Sequence, residues 1–348
     1  MLLRYLKKIF YNSVAELRID KKESTKINTL RFICIIFLVL LHTQIGHLLT
    51  PTNTDIINIQ NIINIPFLPI LFFLSGYLFF QTKEENKDRS FRDWIIYTYI
   101  YKIRRRIRTL LIPYILWCLI AIVYNHFIKN DNWPCGITNF LIQFWDSGSG
   151  HPIGKAMWYI KTLILFSFFS PVYYILIKYL KNVILLIALF LFSFNINIDY
   201  PFFNIYLLLG SYTAIMGFSL DKIYKNFNWK ICLILYLAIK ILNLSMIFPT
   251  FVQGINFMLC SISLWGIITK YNIPASITMS SSFIYFVHPY FTGLRNIYIT
   301  HINTTKLLNC CFVWIITAIS VLLICYILFR ISKRKMPKII SILIGDRL

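Results

Sequence analysis

Long apolar blocks separated by short polar segments dominate this chain. Each block is close to the about 20 residues that a helix needs to cross the hydrocarbon layer of a bilayer. The strict apolar–polar alternation of membrane β-strands is not visible. The pattern therefore predicts an all-α polytopic membrane protein with about ten transmembrane helices. We expect these helices near residues 29–49, 65–81, 109–128, 158–177, 183–197, 203–220, 231–248, 251–269, 277–294 and 307–329.

Composition supports an integral membrane protein. Hydrophobic residues make up 58% of the 348 residues and charged residues 14%, whereas about 25% of a soluble protein is charged. Most of the 35 Lys and Arg residues fall in segments that are cytoplasmic if the N-terminus is inside, which predicts that both termini are cytoplasmic. The net charge of +22 then reflects topology and contact with anionic membrane lipids, and we expect no nucleic acid partner.

The pattern predicts one transmembrane domain, at residues 29–330. Residues 1–28 form a cytoplasmic segment in which apolar residues recur at helical spacing between cations, which indicates an amphipathic helix on the membrane surface or a polar lead-in. Residues 331–348 form a short basic cytoplasmic tail. The eight cysteines lack metal-ligand spacing, and we expect no metal site.

Arg31 and His42 are eleven residues apart in the first predicted span. At about 100° and 1.5 Å per residue, they share one helix face and lie about 16 Å apart along the axis. An ionisable side chain inside a bilayer is costly and often functional. The alternative is that His42 only forms a hydrogen bond between helices.

Arg105 and Arg108 precede the third predicted span and can face one ligand from a helix. Arginine offers a fork of donors that suits phosphate oxygens. Four arginines at a cytoplasmic boundary also satisfy the positive-inside rule without any ligand. The presence of Arg31 on the same side of the membrane favours a binding site.

Other residues are candidates for the walls of a pocket. The second span holds a Ser-Gly step that permits close backbone approach, the fourth begins at an aromatic interface, and the ninth places Tyr285 and His288 on one face. Pro289 should loosen the helix beside His288. The candidates from these spans are Ser75, Gly76, Tyr77, Trp158, Tyr285 and His288.

Taken together, these motifs resemble the integral-membrane acyltransferase-3 family, in its form without an appended hydrolase-like domain. The matching pieces occur in the family's order across nearly the whole chain: the Arg31–His42 helix, FFLSGY, Arg105-x-x-Arg108 before Pro113, WYI with FSFFSPV, and IYFVHP. The resemblance implies an acyl-CoA-dependent O-acyltransferase of glycans.

The resemblance also implies roles for individual residues. Arg105 and Arg108 would bind the phosphates of acyl-CoA on the cytoplasmic side, and Arg31 would help to hold this donor. The catalytic residues would be Arg31 and His42, and His42 would act at the acyl group. His42 would be a general base or would be acylated transiently, while Tyr285 and His288 would shape the pocket.

We therefore expect a multi-pass enzyme of the cell inner or plasma membrane. It would transfer an acetyl or other short acyl group to a cell-envelope glycan or lipid-linked saccharide, with no permanently bound cofactor, and could work beside polysaccharide-assembly partners. One alternative is a polysaccharide exporter or flippase whose buried cations line a path. Another is a membrane scaffold in which both histidines are structural. Neither alternative needs the paired arginines.

Overall fold

The structure is a computed structural model that describes residues 21–49, 54–81, 91–148, 151–154, 156–183, 203–242, 249–271, 273–302, 304 and 306–345. All regular secondary structure within these ranges is helical, which confirms the all-α prediction. The helices are α1 Lys21–His42, α2 Thr54–Ile63, α3 Phe67–Phe80, α4 Phe91–Lys129, α5 Ile137–Ile142, α6 Met157–Leu180, α7 Phe203–Ile215, α8 Leu220–Lys225, α9 Trp229–Ile241, α10 Pro249–Lys270, α11 Ala275–Thr278, α12 Ser281–Val287, α13 Leu294–His301, α14 Leu307–Lys335 and α15 Pro337–Leu343.

Six helical stretches of the described chain are long and apolar enough to cross a bilayer. They are Lys22–His42, Thr54–Phe80, Phe91–Lys129, Met157–Leu180, Val252–Lys270 and Leu307–Lys335. The protein is thus an integral, multi-pass membrane protein. The count of ten spans and the cytoplasmic location of both termini stay predictions. Residues 1–20 and nearly all of the predicted span at 183–197 lie outside the described residues.

Helix α4 differs from the predicted span at residues 109–128. It begins at Phe91 and runs to Lys129 through π-helical turns at Trp94–Tyr99 and Ile107–Leu111. Its first turns are held by aromatic packing, because the buried Trp94 stacks on Tyr174 of α6 with ring centroids 4.4 Å apart. The arginine-rich segment therefore belongs to a continuous helix.

The predicted span at residues 277–294 is wrong as a single helix. The chain instead forms α11, α12, a 3-10 turn at His288–Tyr290 and then α13. Pro289 explains the break, because it has no backbone N–H and its ring clashes with the carbonyl four residues earlier in an α-helix.

Helices α3 and α7 approach each other through glycines. A Cβ atom on Gly76 would lie 2.2 Å from the carbonyl oxygen of Leu207, and one on Gly210 would lie 2.0 Å from that of Phe73. Any larger residue at either position would force the helices apart. This confirms that the Ser-Gly step permits close backbone approach.

The beginning of α1 is fixed by buried polar contacts. The Glu23 carboxylate accepts hydrogen bonds from the Tyr77 hydroxyl at 2.8 Å and the Leu220 amide at 3.3 Å. The Lys26 ammonium donates to the Asp221 carboxylate at 2.6 Å. These contacts join the start of α1 to α3 and α8, and they fix the helix that carries Arg31 and His42.

Candidate active site

A cavity of about 940 Å³ lies between α1, α3, α4, α6 and the segment from α11 to α12. Its volume falls at the upper end of the range of about 300–1,000 Å³ that is typical of small-molecule sites. We call it the basic cavity because its lining includes six cations: Arg31, Lys102, Arg104, Arg105, Arg106 and Arg108. Among the described residues that line it, none is acidic. The cavity therefore suits an anionic ligand.

The cations come from two helices. Arg31 is half-buried on α1, while Arg105 and Arg108 are exposed on α4. Lys102 is buried, and its ammonium donates to the backbone carbonyls of Phe79 and Gln81 at the end of α3. Lys102 thus joins α4 to α3, while the arginine side chains offer the planar donors that suit phosphate.

Another part of the cavity wall is formed by hydroxyl-bearing side chains from α3, α6 and α12. The hydroxyl groups of Ser75 and Tyr159 lie 3.0 Å apart, and Ser75 also donates to the Leu71 carbonyl at 2.7 Å. The ring centroid of Tyr159 is 5.9 Å from that of Tyr285, whose hydroxyl donates to the Ala156 carbonyl. This part of the wall can contact a neutral portion of a ligand.

The two membrane histidines contact each other. His288 Nε2 lies 2.9 Å from His42 Nδ1, although the residues are 246 positions apart in sequence. His288 is fully buried and His42 is half-buried. The ring of Tyr285, which lines the cavity, is 6.4 Å from that of His288 between centroids. The histidine pair therefore adjoins Tyr285, which is part of the wall of the basic cavity.

Hydrogen bonding defines the tautomers of this pair when both rings are neutral. His288 Nδ1 lies 3.0 Å from the Ile284 carbonyl, which can only accept a hydrogen bond, so Nδ1 carries the proton. His288 Nε2 must then accept from the Nδ1–H of His42. The Nε2 atom of His42 is left with its lone pair, as a general base requires.

Two side chains hold the end of α1, where His42 is the last residue. The guanidinium of Arg295 donates to the carbonyl of His42 at 3.0 Å and to that of Gln44 at 3.3 Å. The indole of Trp314 donates to the carbonyl of Leu40 at 2.9 Å. The carbonyl groups of Leu40 and His42 lie in the last turn of α1, where carbonyls lack partners within the helix, and these contacts satisfy them. The positive charge of Arg295 also complements the negative end of the helix dipole.

The structure brings only some of the predicted site residues to the cavity. Arg31, Ser75, Arg105, Arg108 and Tyr285 line it. The lining does not include His42, Gly76, Tyr77, Trp158 or His288. Gly76 packs on α7 and Tyr77 on Glu23, while Trp158 packs against the core beside Phe72. The catalytic and binding roles of all these residues stay predictions.

Sequence reasoning did not select Lys102, Tyr159 or Arg295. Helical spacing could have selected Lys102, because it lies three residues before Arg105 on the same helix. Tyr159 adjoins the selected Trp158. Arg295 gave no signal, because its contact with His42 joins residues that are 253 positions apart.

Comparison with known families adds a separate observation. A family model described as an acyltransferase domain, that of acyltransferase family 3, matches residues 24–330. The chain belongs to the acyltransferase-3 family. Comparisons with curated proteins and with solved structures give no match.

This acyltransferase carries all the cations of its basic cavity within the matched residues. The histidine pair also falls within the match. The resemblance drawn from the motifs is thereby confirmed at the level of the family, and the protein is a membrane acyltransferase.

Proposed function

We propose that this acyltransferase moves an acetyl or other short acyl group from acyl-coenzyme A to a hydroxyl group of a cell-envelope glycan or lipid-linked saccharide. The observation that carries the proposal is the basic cavity, whose tyrosine wall adjoins the histidine pair. Family membership supports acyl transfer, and the chemistry of the cavity supports a donor that carries phosphate groups.

The donor would place its phosphates on Arg105 and Arg108, with Arg31 closer to the neutral arm. Arg31 and Arg105 come from different helices and line the same cavity without a neighbouring carboxylate among its described lining. A phosphate would therefore meet no acidic competitor there. The neutral arm would extend past Ser75 and Tyr159, whose hydroxyl groups form part of the wall.

The thioester would pass the ring of Tyr285 to reach His42, and acyl transfer would take place there. His42 Nε2 takes the proton of the acceptor hydroxyl, and the hydroxyl oxygen attacks the thioester carbon. The carbon–sulfur bond then breaks, and the thiolate of coenzyme A receives the proton from His42. His288 acts as a positioning residue, because its bond to His42 Nδ1 fixes the tautomer that leaves Nε2 free.

The arginines would face the cytoplasm, where acyl-coenzyme A is made, and His42 would lie toward the other side. The enzyme would thus sit in the cell inner or plasma membrane and act on a glycan beyond the bilayer midplane. Anionic lipids would contact its basic cytoplasmic segments. Polysaccharide-assembly proteins would be natural partners, because they present such glycans at the membrane.

Binding of acetyl-coenzyme A to the purified protein in nanodiscs tests the donor. We expect the wild type to bind, and the Arg105→Ala/Arg108→Ala variant to bind at least about tenfold more weakly because it lacks two charged donors. Arg330→Ala/Arg334→Ala is the matched control, because it removes two exposed arginines from α14 that do not line the cavity. Equal affinity of the two double variants would contradict the proposed phosphate dock.

A further inference from the structure

The segment that follows α14 packs against α4. Helix α15 spans Pro337–Leu343, after the residues matched by the family model, which end at 330. Ile340 is 4% exposed and Ile344 is fully buried, and both belong to the main hydrophobic core. The sequence predicts a basic cytoplasmic tail here, and the structure places two apolar residues of this tail, Ile340 and Ile344, in the core.

Two backbone contacts fix this segment on α4. The indole N–H of Trp117 donates to the carbonyl of Leu343 at 2.9 Å. Gly345 lies against the backbone of Thr109, and a Cβ atom at that position would come 2.2 Å from the Thr109 carbonyl oxygen. Thr109 follows Arg108 directly, within the π-helical turn Ile107–Leu111.

Gly345 is also part of the wall of the basic cavity, together with Arg108 and Thr109. Its φ of +71° lies in the left-handed region, which glycine adopts without strain. This conformation ends α15, and Gly345 itself lies beside α4. A residue with a side chain would be strained there and would also clash with the backbone beside Arg108.

We propose that Gly345, at the end of residues 337–345, forms a functional part of the wall of the donor site, and that Gly345 and the bond from Trp117 to Leu343 position the turn that carries Arg108. This inference rests on the proposed function, because it assigns the segment to the binding of acyl-coenzyme A. It goes further in assigning part of the donor site to residues outside the family match. Arg108 binds phosphate. Gly345 is a positioning residue, because it lies against the backbone of Thr109, the residue that follows Arg108.

The test compares Gly345→Ala with Gly136→Ala in nanodiscs. Gly136 has a similar φ of +83°, yet a Cβ atom there meets no atom within 4 Å. Both variants therefore bear the strain of an alanine at positive φ, and only Gly345→Ala changes the cavity wall. A third variant, Trp117→Phe, removes the bond to Leu343 and leaves an aromatic ring to stack on Phe286.

We expect Gly345→Ala to bind acetyl-coenzyme A at least about tenfold more weakly, and Trp117→Phe about three- to tenfold more weakly. Gly136→Ala should bind as the wild type does. The inference is overturned if Trp117→Phe, or Gly345→Ala where it folds, binds with wild-type affinity. Absence of binding by the folded wild type would instead overturn the proposed function, and this inference with it.

Discussion

Replacement of His288 tests how the histidine pair supports catalysis. An asparagine at this position can keep the donor to the Ile284 carbonyl, because its amide nitrogen takes the place of Nδ1, but it cannot reach His42. A glutamine can place an amide oxygen near the position of Nε2 and can accept from His42. We therefore expect His288→Asn to slow acyl transfer and His288→Gln to recover much of the rate.

The size of the effect follows from the burial of the contact. His288 is fully buried, and its Nε2 lies 2.9 Å from His42 Nδ1. A buried donor left without an acceptor costs about 1–3 kcal/mol, which is about a 5- to 150-fold loss in the population of correctly oriented His42. Removal of the proposed base, in His42→Ala, should slow acyl transfer by about 10²- to 10⁴-fold.

The assay is the initial rate of acetyl transfer to the acceptor glycan, with acetyl-coenzyme A affinity measured in parallel. Donor affinity should stay at the wild-type value in both His288 variants, because His288 does not line the basic cavity. His126→Asn is the matched control: His126 contacts the Asp131 carbonyl at 2.9 Å at the far end of α4. A His288→Asn variant that transfers acetyl at the wild-type rate would refute the positioning role.

Two further predictions concern the scaffold around the site. Arg295→Ala should lower the free energy of unfolding by about 1–2 kcal/mol and slow transfer without weakening donor binding, since it frees the carbonyl of His42. Arg295→Lys should recover part of the rate, and a loss of donor affinity in Arg295→Ala would contradict this reasoning. Gly76→Ala should destabilise the protein by about 1–3 kcal/mol in thermal unfolding, because its Cβ atom would meet the Leu207 carbonyl at 2.2 Å. Gly293→Ala, whose Cβ atom meets nothing within 4 Å, is its control and should change stability by less than about 0.5 kcal/mol.

Local patterns in the sequence selected three of the six cations that line the basic cavity. Arg31, Arg105 and Arg108 line one cavity, as their shared side of the membrane suggested. Helical spacing and the positive-inside rule are properties of short segments, so they can be read without knowledge of the fold. The extent of α4 was underestimated, because its first turns depend on packing of Trp94 against Tyr174.

Contacts between distant segments could not be predicted in the same way. The sequence marked His42 and His288 separately, but nothing local indicated that their rings meet. The same is true of Arg295, which reads in the sequence as a charge in an outer loop, and of Gly345. Their partners are set by tertiary packing, which brings the broken segment after α12 and the segment after α14 to the site.

The anchoring of α1 has a consequence for the choice of donor. The helix is held near its start by Glu23 and Lys26 and at its end by Arg295, so Arg31 and His42 keep a separation of about 16 Å along its axis. With acyl-coenzyme A as the donor, this fixed separation would set the distance between the part of the donor that Arg31 holds and the thioester beside His42. This distance along α1 is the same for every acyl chain. Selection among acyl groups would therefore take place in the space around His42.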